Sequence, residues 1–262
     1  MSDAAHASAA CLNCDHPLAP PGCFCPQCGQ APAHRLSTGH VLHEVLHVFT
    51  HADKGIFAYL PLVLLRPGRL VADYLAGRRK RHFNPFQFLL LAVGLVTLLG
   101  VKLHYYDAIG TGVEEQMRQR GASAAQLTRT GAYFHFIGAF FNIWWLALLP
   151  LQALMTWAVY ARRGLNYAES VLVQVVLGGA FQLYLLGLLP ALVWGQFPGR
   201  AGFVTGVFQF LMVTVYLALI GRQGLGLSWA GAWWRALVCG LLSGAISVAL
   251  NYLAFNLYVN QG

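Results

Sequence analysis

Five of the six cysteines in this chain fall between residues 11 and 28. In the run CLNCDHPLAPPGCFCPQCGQ, Cys11 and Cys14 form one C-x2-C pair, and Cys25 and Cys28 form a second after ten intervening residues. Each short turn can present two thiolates, and two such turns complete a tetrahedral sulfur site of the zinc-ribbon type. Gly29 relaxes the turn after the second pair. Cys23 is a fifth thiol that could replace Cys25 only at worse spacing. A disulfide cluster is the competing chemistry, but it needs an oxidising compartment, and the orientation argued below puts these thiols in a reducing one. A thioredoxin-like redox role needs a βαβ context, for which the sequence gives no pattern. The expectation is therefore zinc on Cys11, Cys14, Cys25 and Cys28, in a binding or stabilising module that is close to unfolded without its metal.

A second group of ligand-type residues follows. His40, His43, His47 and His51 are spaced 3, 4 and 4, which puts them on one helical face beside Glu44. Val41, Leu42, Val45, Leu46, Val48 and Phe49 take the other side, so residues 39 to 52 read as an amphipathic helix lying at the membrane surface. Residues 43 to 47 read HEVLH, the zinc-peptidase pattern in which two histidines bind the ion and the glutamate activates water. A second metal on His43, His47 and His51 is one reading. A polar helix face is the other, because His51 sits about 6 Å further along the same straight helix, awkward for one tetrahedral ion.

The elements that must carry these groups are set by composition. Hydrophobic residues make up 57% of the 262 and charged residues only 10%, too few charges to coat a soluble domain, which carries about 25%. The apolar residues come in blocks, and a helix needs about 20 of them to cross a bilayer. Five spans follow: Pro85 to about Tyr106, Ile137 to Tyr160, Ala168 to Trp194, Phe203 to Ile220, and Trp234 to about Phe255. Tyr105, Tyr106, Trp144, Trp145, Trp194, Trp229, Trp233 and Trp234 cluster near span ends, as an aromatic belt does. The run Ile56 to Leu65 holds Pro61 and is too short to span, so it is read as interfacial or re-entrant. Residues 107 to 134 are the one long connection, with charges spaced as on a solvated helix. Inside the spans, Gln174 and Gln182 share one face and are read as interhelical hydrogen-bonding groups. The fold class is all-α integral membrane protein. The domains are a disordered leader at 1–10, the zinc ribbon at 11–30, a linker, amphipathic helix and basic hinge at 31–85, and a five-span domain at 86–262.

The basic hinge holds Arg66, Arg69, Arg78, Arg79, Lys80 and Arg81. Together with HADKG, LLRPGRLVADYLAGRRKRHFNPFQFLLL and the cysteine run, it resembles an uncharacterised bacterial membrane family, the domain-of-unknown-function 3667 family, over residues 11 to 91. Members join a zinc-ribbon-like start to several spans. The resemblance implies membrane location and metal binding, and no activity.

Net charge is +8. The basic residues sit at the edges of apolar blocks, where anionic lipid and orientation account for them and a nucleic acid is not needed. Twelve Lys and Arg fall on the side of the cysteines and five on the other. The positive-inside rule then predicts a bacterial inner-membrane protein with its N-terminus cytoplasmic and its C-terminus outside. No secretory leader is expected, since the first apolar block begins near residue 86. Two functions remain. One is a non-enzymatic membrane protein whose ribbon and hinge dock a cytoplasmic partner or membrane lipid, and whose bundle anchors or passes a small or lipidic molecule. The other is a membrane-bound zinc peptidase using His43, Glu44 and His47.

Overall fold

The computed structural model describes residues 10–18, 24–31, 35–39, 55–194 and 201–260. The leader at 1–9, Cys23, and the histidine segment with His43, Glu44, His47 and His51 lie outside the described residues. Among the described residues the chain is α-helical, and the one β-type pairing is an isolated bridge between Ala10 and Pro17.

From residue 55 onward two short helices come first, α1 (Ile56–Leu65) and α2 (Pro67–Leu75). Neither is long enough to cross a bilayer. They form a hairpin packed on later helices. The end of α1 leaves carbonyls without helical partners, and the hydroxyls of Tyr184 and Tyr216 both donate to the Leu64 carbonyl, at 3.4 and 2.6 Å. Tyr59 and Val63 are buried beneath the hairpin.

Among the described residues five helices are long and apolar enough to cross a membrane: α3 (Pro85–Lys102), α5 (Ala124–Tyr160), α6 (Tyr167–Trp194), α7 (Ala201–Gln223) and α8 (Trp229–Asn260). The starts are written in the sequence. Asn84 caps α3 by accepting from the N–H groups of Phe86 and Gln87, with Pro85 at the first helical position, where its missing N–H costs nothing. The Asn84-Pro85 pair is thus a helix start. Ser123 and Gln126 close a reciprocal capping box on α5.

The connection expected over 107 to 134 folds as α4 (Tyr105–Gln119), a turn at Gly121, and the first part of α5. At 1.5 Å per residue α5 is roughly 55 Å long and α8 roughly 48 Å, against about 30 Å of hydrocarbon. The excess of both is at the end away from the cysteines. There α4 packs on α5, Gln126 donates to Asn260 at 3.0 Å, Arg129 donates to the Val259 carbonyl, and the Tyr133 ring meets Phe255 edge to face and Tyr258 at a tilt. Asp107, Glu114, Glu115, Arg118 and Arg120 all lie in this extension, which suits a part that stands clear of lipid.

The centre of the bundle is α6. Within its apolar stretch 67% of residues are buried, against 22% for α8. It touches α1, α2, α3, α4, α5 and α7. Gln174 donates across to the Thr156 hydroxyl at 2.7 Å, tying α6 to α5. Gln182 is fully buried, and neither of its amide atoms has a hydrogen-bond partner among the described residues. The aromatic residues divide into two groups. Trp194, Trp229, Trp233 and Trp234 are exposed, as belt residues are, whereas Tyr105 and Trp145 are buried in the core.

Candidate metal centre

Each C-x2-C turn folds the same way. In the first, the Cys11 N–H donates to the His16 carbonyl and the Asp15 N–H to the Cys11 carbonyl; in the second, Cys25 pairs with Gln30 and Gly29 with Cys25, every bond 2.8 Å. The residue after each second cysteine has positive φ, 58° at Asp15 and 70° at Gly29. Glycine takes that conformation freely and aspartate is among the few side chains that tolerate it. The two turns therefore aim two pairs of sulfurs at one point. Cys11 Sγ lies 3.6 Å from Cys28 Sγ and Cys14 Sγ 3.7 Å from Cys25 Sγ, and all four lie within 4.8 Å of one another.

Four sulfurs held at metal–sulfur distances of about 2.3 Å around a tetrahedral ion are about 3.8 Å apart. The observed spacing fits that polyhedron, and the cysteines are not disulfide-bonded. The group could hold a metal ion, and it is the one cluster of three or more such ligand groups among the described residues.

Backbone dipoles favour thiolates here. The Gln30 N–H, the largest influence on Cys28, pulls that thiol down to about 6 against the cost of burial, with Cys14, Asn13 and Cys11 also lowering it. The equivalent His16 N–H is the largest influence on Cys14 and lowers it too, but burial and the three neighbouring sulfurs push that thiol up to about 12. Cys28 thus gives up its proton more readily than Cys14, against which the neighbouring sulfurs crowd. A cation relieves that crowding, which is why thiolate sites release protons when they take up metal.

The cysteine module and the linker after it each contact the bundle. Gln30 is buried and uses both ends of its amide on the turn after α2, donating to the Gly77 carbonyl at 2.9 Å and accepting from the Lys80 N–H at 3.3 Å. Arg35 reaches the start of α6. Its Nε donates to Glu169 Oε1 at 2.8 Å and its Nη2 to Glu169 Oε2 at 3.0 Å and to the Gly164 carbonyl. Glu169 and Asn166 cap α6 reciprocally, and the Asn166 side chain donates to the Leu36 carbonyl at 2.9 Å. The carboxylate raises the Arg35 guanidinium further above its ordinary value by direct hydrogen bonding. Nothing in the sequence pairs Arg35 with Glu169, 134 residues away. A lone acid at the head of an apolar block was the available sign, because such groups almost always have partners.

Of the basic hinge residues, Arg66, Arg69, Arg78, Lys80 and Arg81 are exposed and Arg79 is half-buried. Arg78 donates to Asp73 Oδ1 at 3.2 Å, and the other oxygen of Asp73 lies 3.0 Å from His82 Nε2. Burial pulls the His82 imidazole below its ordinary value; hydrogen bonding and attraction from Asp73 oppose this, and Arg81 and Arg69 add to the lowering. The unfolded chain takes up a proton at its histidines near pH 6.5, while folded His82 resists until lower pH. The contribution of His82 to stability is therefore whole above about pH 6.5 and is lost as pH falls from there towards the folded value. The melting temperature of the wild type should drop on acidification through this window, and the His82→Asn variant should show a smaller drop. Equal drops in the two proteins would remove His82 as the source.

A family described as a protein of unknown function (DUF3667) has a model that matches residues 53–97, a stretch that takes in α1, α2, the basic turn and most of α3. No curated protein and no solved structure matches the chain.

Proposed function

We propose that this is a non-enzymatic membrane protein that receives a lipidic or similarly apolar small molecule in its bundle, with its cysteine module serving as a structural zinc ribbon on the opposite face. The observation that carries the reading is a chamber of about 430 Å³ between α4, α5, α6, α7 and α8. Its volume lies within the usual range of small-molecule sites, about 300 to 1,000 Å³. Its walls include Tyr106, Ile109, Phe134 and Phe181, and its few polar groups include Thr205 and Asn251. Such walls suit a hydrocarbon chain or ring and suit an ion poorly. The lining residues of α6 sit at its middle, and those of α5, α7 and α8 at the ends away from the cysteines. The chamber thus runs from mid-bundle into the extension that stands clear of the bilayer, a route by which an apolar molecule could leave a leaflet without meeting water.

Zinc is the ion we assign to the cysteines, because four thiolates in a tetrahedron are its structural coordination. The exposed arginines and Lys80 of the basic turn would sit among lipid headgroups, and the charge bias favours a cytoplasmic N-terminus in a bacterial inner membrane, where a cytoplasmic partner could reach the ribbon. The peptidase alternative rests on residues 43 to 47, outside the described residues.

Gly206 offers the test. It lines the chamber, and a Cβ added there meets nothing within 4 Å. Gly206→Phe should fill the space with little disturbance to the bundle. Binding of a fluorescent lipid analogue to the purified full chain should weaken about tenfold, equivalent to about 1.4 kcal/mol, at unchanged membrane abundance. Undiminished binding by a normally folded variant would reject the chamber as the site.

A further inference from the structure

A second cavity lies at the opposite end of the bundle, on the face that carries the cysteine module. It has a volume of about 480 Å³ and is formed where the turn after α5 meets the loop between α7 and α8. Arg162, Arg163 and Arg235 line it, together with Gly226, Ser228 and Gly231. We propose that this cavity binds the phosphate group of an anionic membrane phospholipid.

Among the described residues no carboxylate compensates the charge in the cavity. No aspartate or glutamate occurs in the chain after Glu169, so α7, α8 and their loop supply none. Glu169 itself is occupied by Arg35, and Asp73 by Arg78 and His82. Arg162 and Arg163 are exposed and engage no acceptor among the described residues. Arg235 is held in place rather than neutralised. Its guanidinium donates to the Gly231 carbonyl at 2.9 Å and stacks 4.5 Å from the Trp234 ring. Three guanidinium groups around one concavity without a carboxylate offer the forked donors that match phosphate oxygens.

The loop adds backbone donors. Ser228 caps α8, its hydroxyl accepting from the Gly231 N–H at 3.1 Å. The N–H groups of Trp229 and Ala230 begin the helix and have no acceptor within it, and the positive end of a 32-residue helix is directed at the same space. Gly226 has positive φ, 64°, so the loop turns tightly and leaves its backbone open to an approaching oxygen.

Depth identifies the source of the phosphate. Arg163, in the turn after α5, ends the apolar span that begins at Ile143, and Trp229 begins α8, so the cavity lies at the level where the spans leave hydrocarbon. Trp229, Trp233 and Trp234 are each about half exposed around it, as interfacial indoles are. Headgroup phosphates are concentrated at that level. Positive charge at span ends is ordinary and sets orientation; a walled cavity with a fixed arginine and a helix start is what orientation does not require.

The test uses the full chain in micelles, followed by native mass spectrometry after addition of phosphatidylglycerol, phosphatidylcholine or inorganic phosphate. The wild type should retain phosphatidylglycerol in preference to phosphatidylcholine, and inorganic phosphate should not displace it at equal concentration. Arg162→Gln with Arg163→Gln, both on exposed side chains, should weaken retention about tenfold or more. A matched pair at the other end of the bundle, Arg118→Gln with Arg120→Gln, removes the same charge from exposed side chains and should leave retention within about twofold of wild type. Equal losses in the two pairs would mean diffuse attraction and overturn the site. Equal retention of both lipids by the wild type, or displacement by inorganic phosphate, would overturn the lipid assignment.

Discussion

Serine at Cys28 should strip the protein of its metal while leaving the helical bundle folded. A hydroxyl stays protonated where a thiolate would bind, and the oxygen cannot accept the Gln30 N–H at the sulfur's position. Structural zinc sites of this kind are worth about 10 to 16 kcal/mol near neutral pH, so the loss of one of four ligands moves the affinity by orders of magnitude. The two knuckles have no apolar core of their own; Cys11 and Cys25 are their buried apolar residues among those described. Without the ion the module should open. Gln30 and Arg35 would then lose the geometry that reaches Gly77 and Glu169, and the segment should become sensitive to protease. The core around α6 contains none of these four cysteines, so the melting of the bundle should change little. Cys239→Ser is the comparison, since Cys239 is buried in α8 far along the chain from the cluster and should leave the metal in place. Elemental analysis after a chelator wash decides the matter. A full complement of metal on Cys28→Ser would mean that the ligand set has been misassigned.

The parts of this architecture that were legible in the sequence are those fixed by local physics. Span number follows from apolar block length. Helix starts follow from Asn84-Pro85 and from Ser123 with Gln126. The sulfur site follows from two short turns whose φ > 0 positions fall to Asp15 and Gly29. What escaped was non-local. Tyr105 looks like a belt residue in a list of aromatics near span ends, yet it is buried and its hydroxyl lies 2.6 Å from that of Thr205, 100 residues on. The chamber draws its walls from five helices, and its aromatic wall residues read alone look like ordinary lipid-facing side chains. The charged stretch over 107 to 134 carries a helical spacing, but the spacing does not say that two helices fold back on each other and extend the bundle. The Arg35–Glu169 clamp is of the same kind, visible only when the chain is folded.

A large loss of stability from a single added methyl group is expected at Gly68. Pro67 starts α2, and Gly68 follows it at the point where α2 crosses the end of α7. A Cβ at Gly68 would sit 2.5 Å from Gln223 Cβ and 2.6 Å from the Leu219 carbonyl oxygen. The second of these is backbone, so no change of rotamer relieves it. The crossing is tight from both sides, because a Cβ on Gly224 would come within 3.1 Å of the Gly68 carbonyl oxygen. Alanine at 68 must therefore push two helices apart, and overpacking of this sort costs about 1 to 3 kcal/mol and occasionally more. The displacement would propagate, since α2 leads directly into Asp73, Tyr74 and the Gly77 carbonyl on which Gln30 docks. Gly68→Ala should thus lower the melting temperature by several degrees, at roughly 2 to 4 °C per kcal/mol for a chain of this size. It should also loosen the cysteine module without removing its metal, which separates it from Cys28→Ser. Gly94→Ala is the control: it lies within α3, a Cβ there meets nothing within 4 Å, and helix propensity favours alanine over glycine by about 1 kcal/mol. If Gly68→Ala melts with the wild type while Gly94→Ala behaves as expected, the α2–α7 crossing is looser than these distances require.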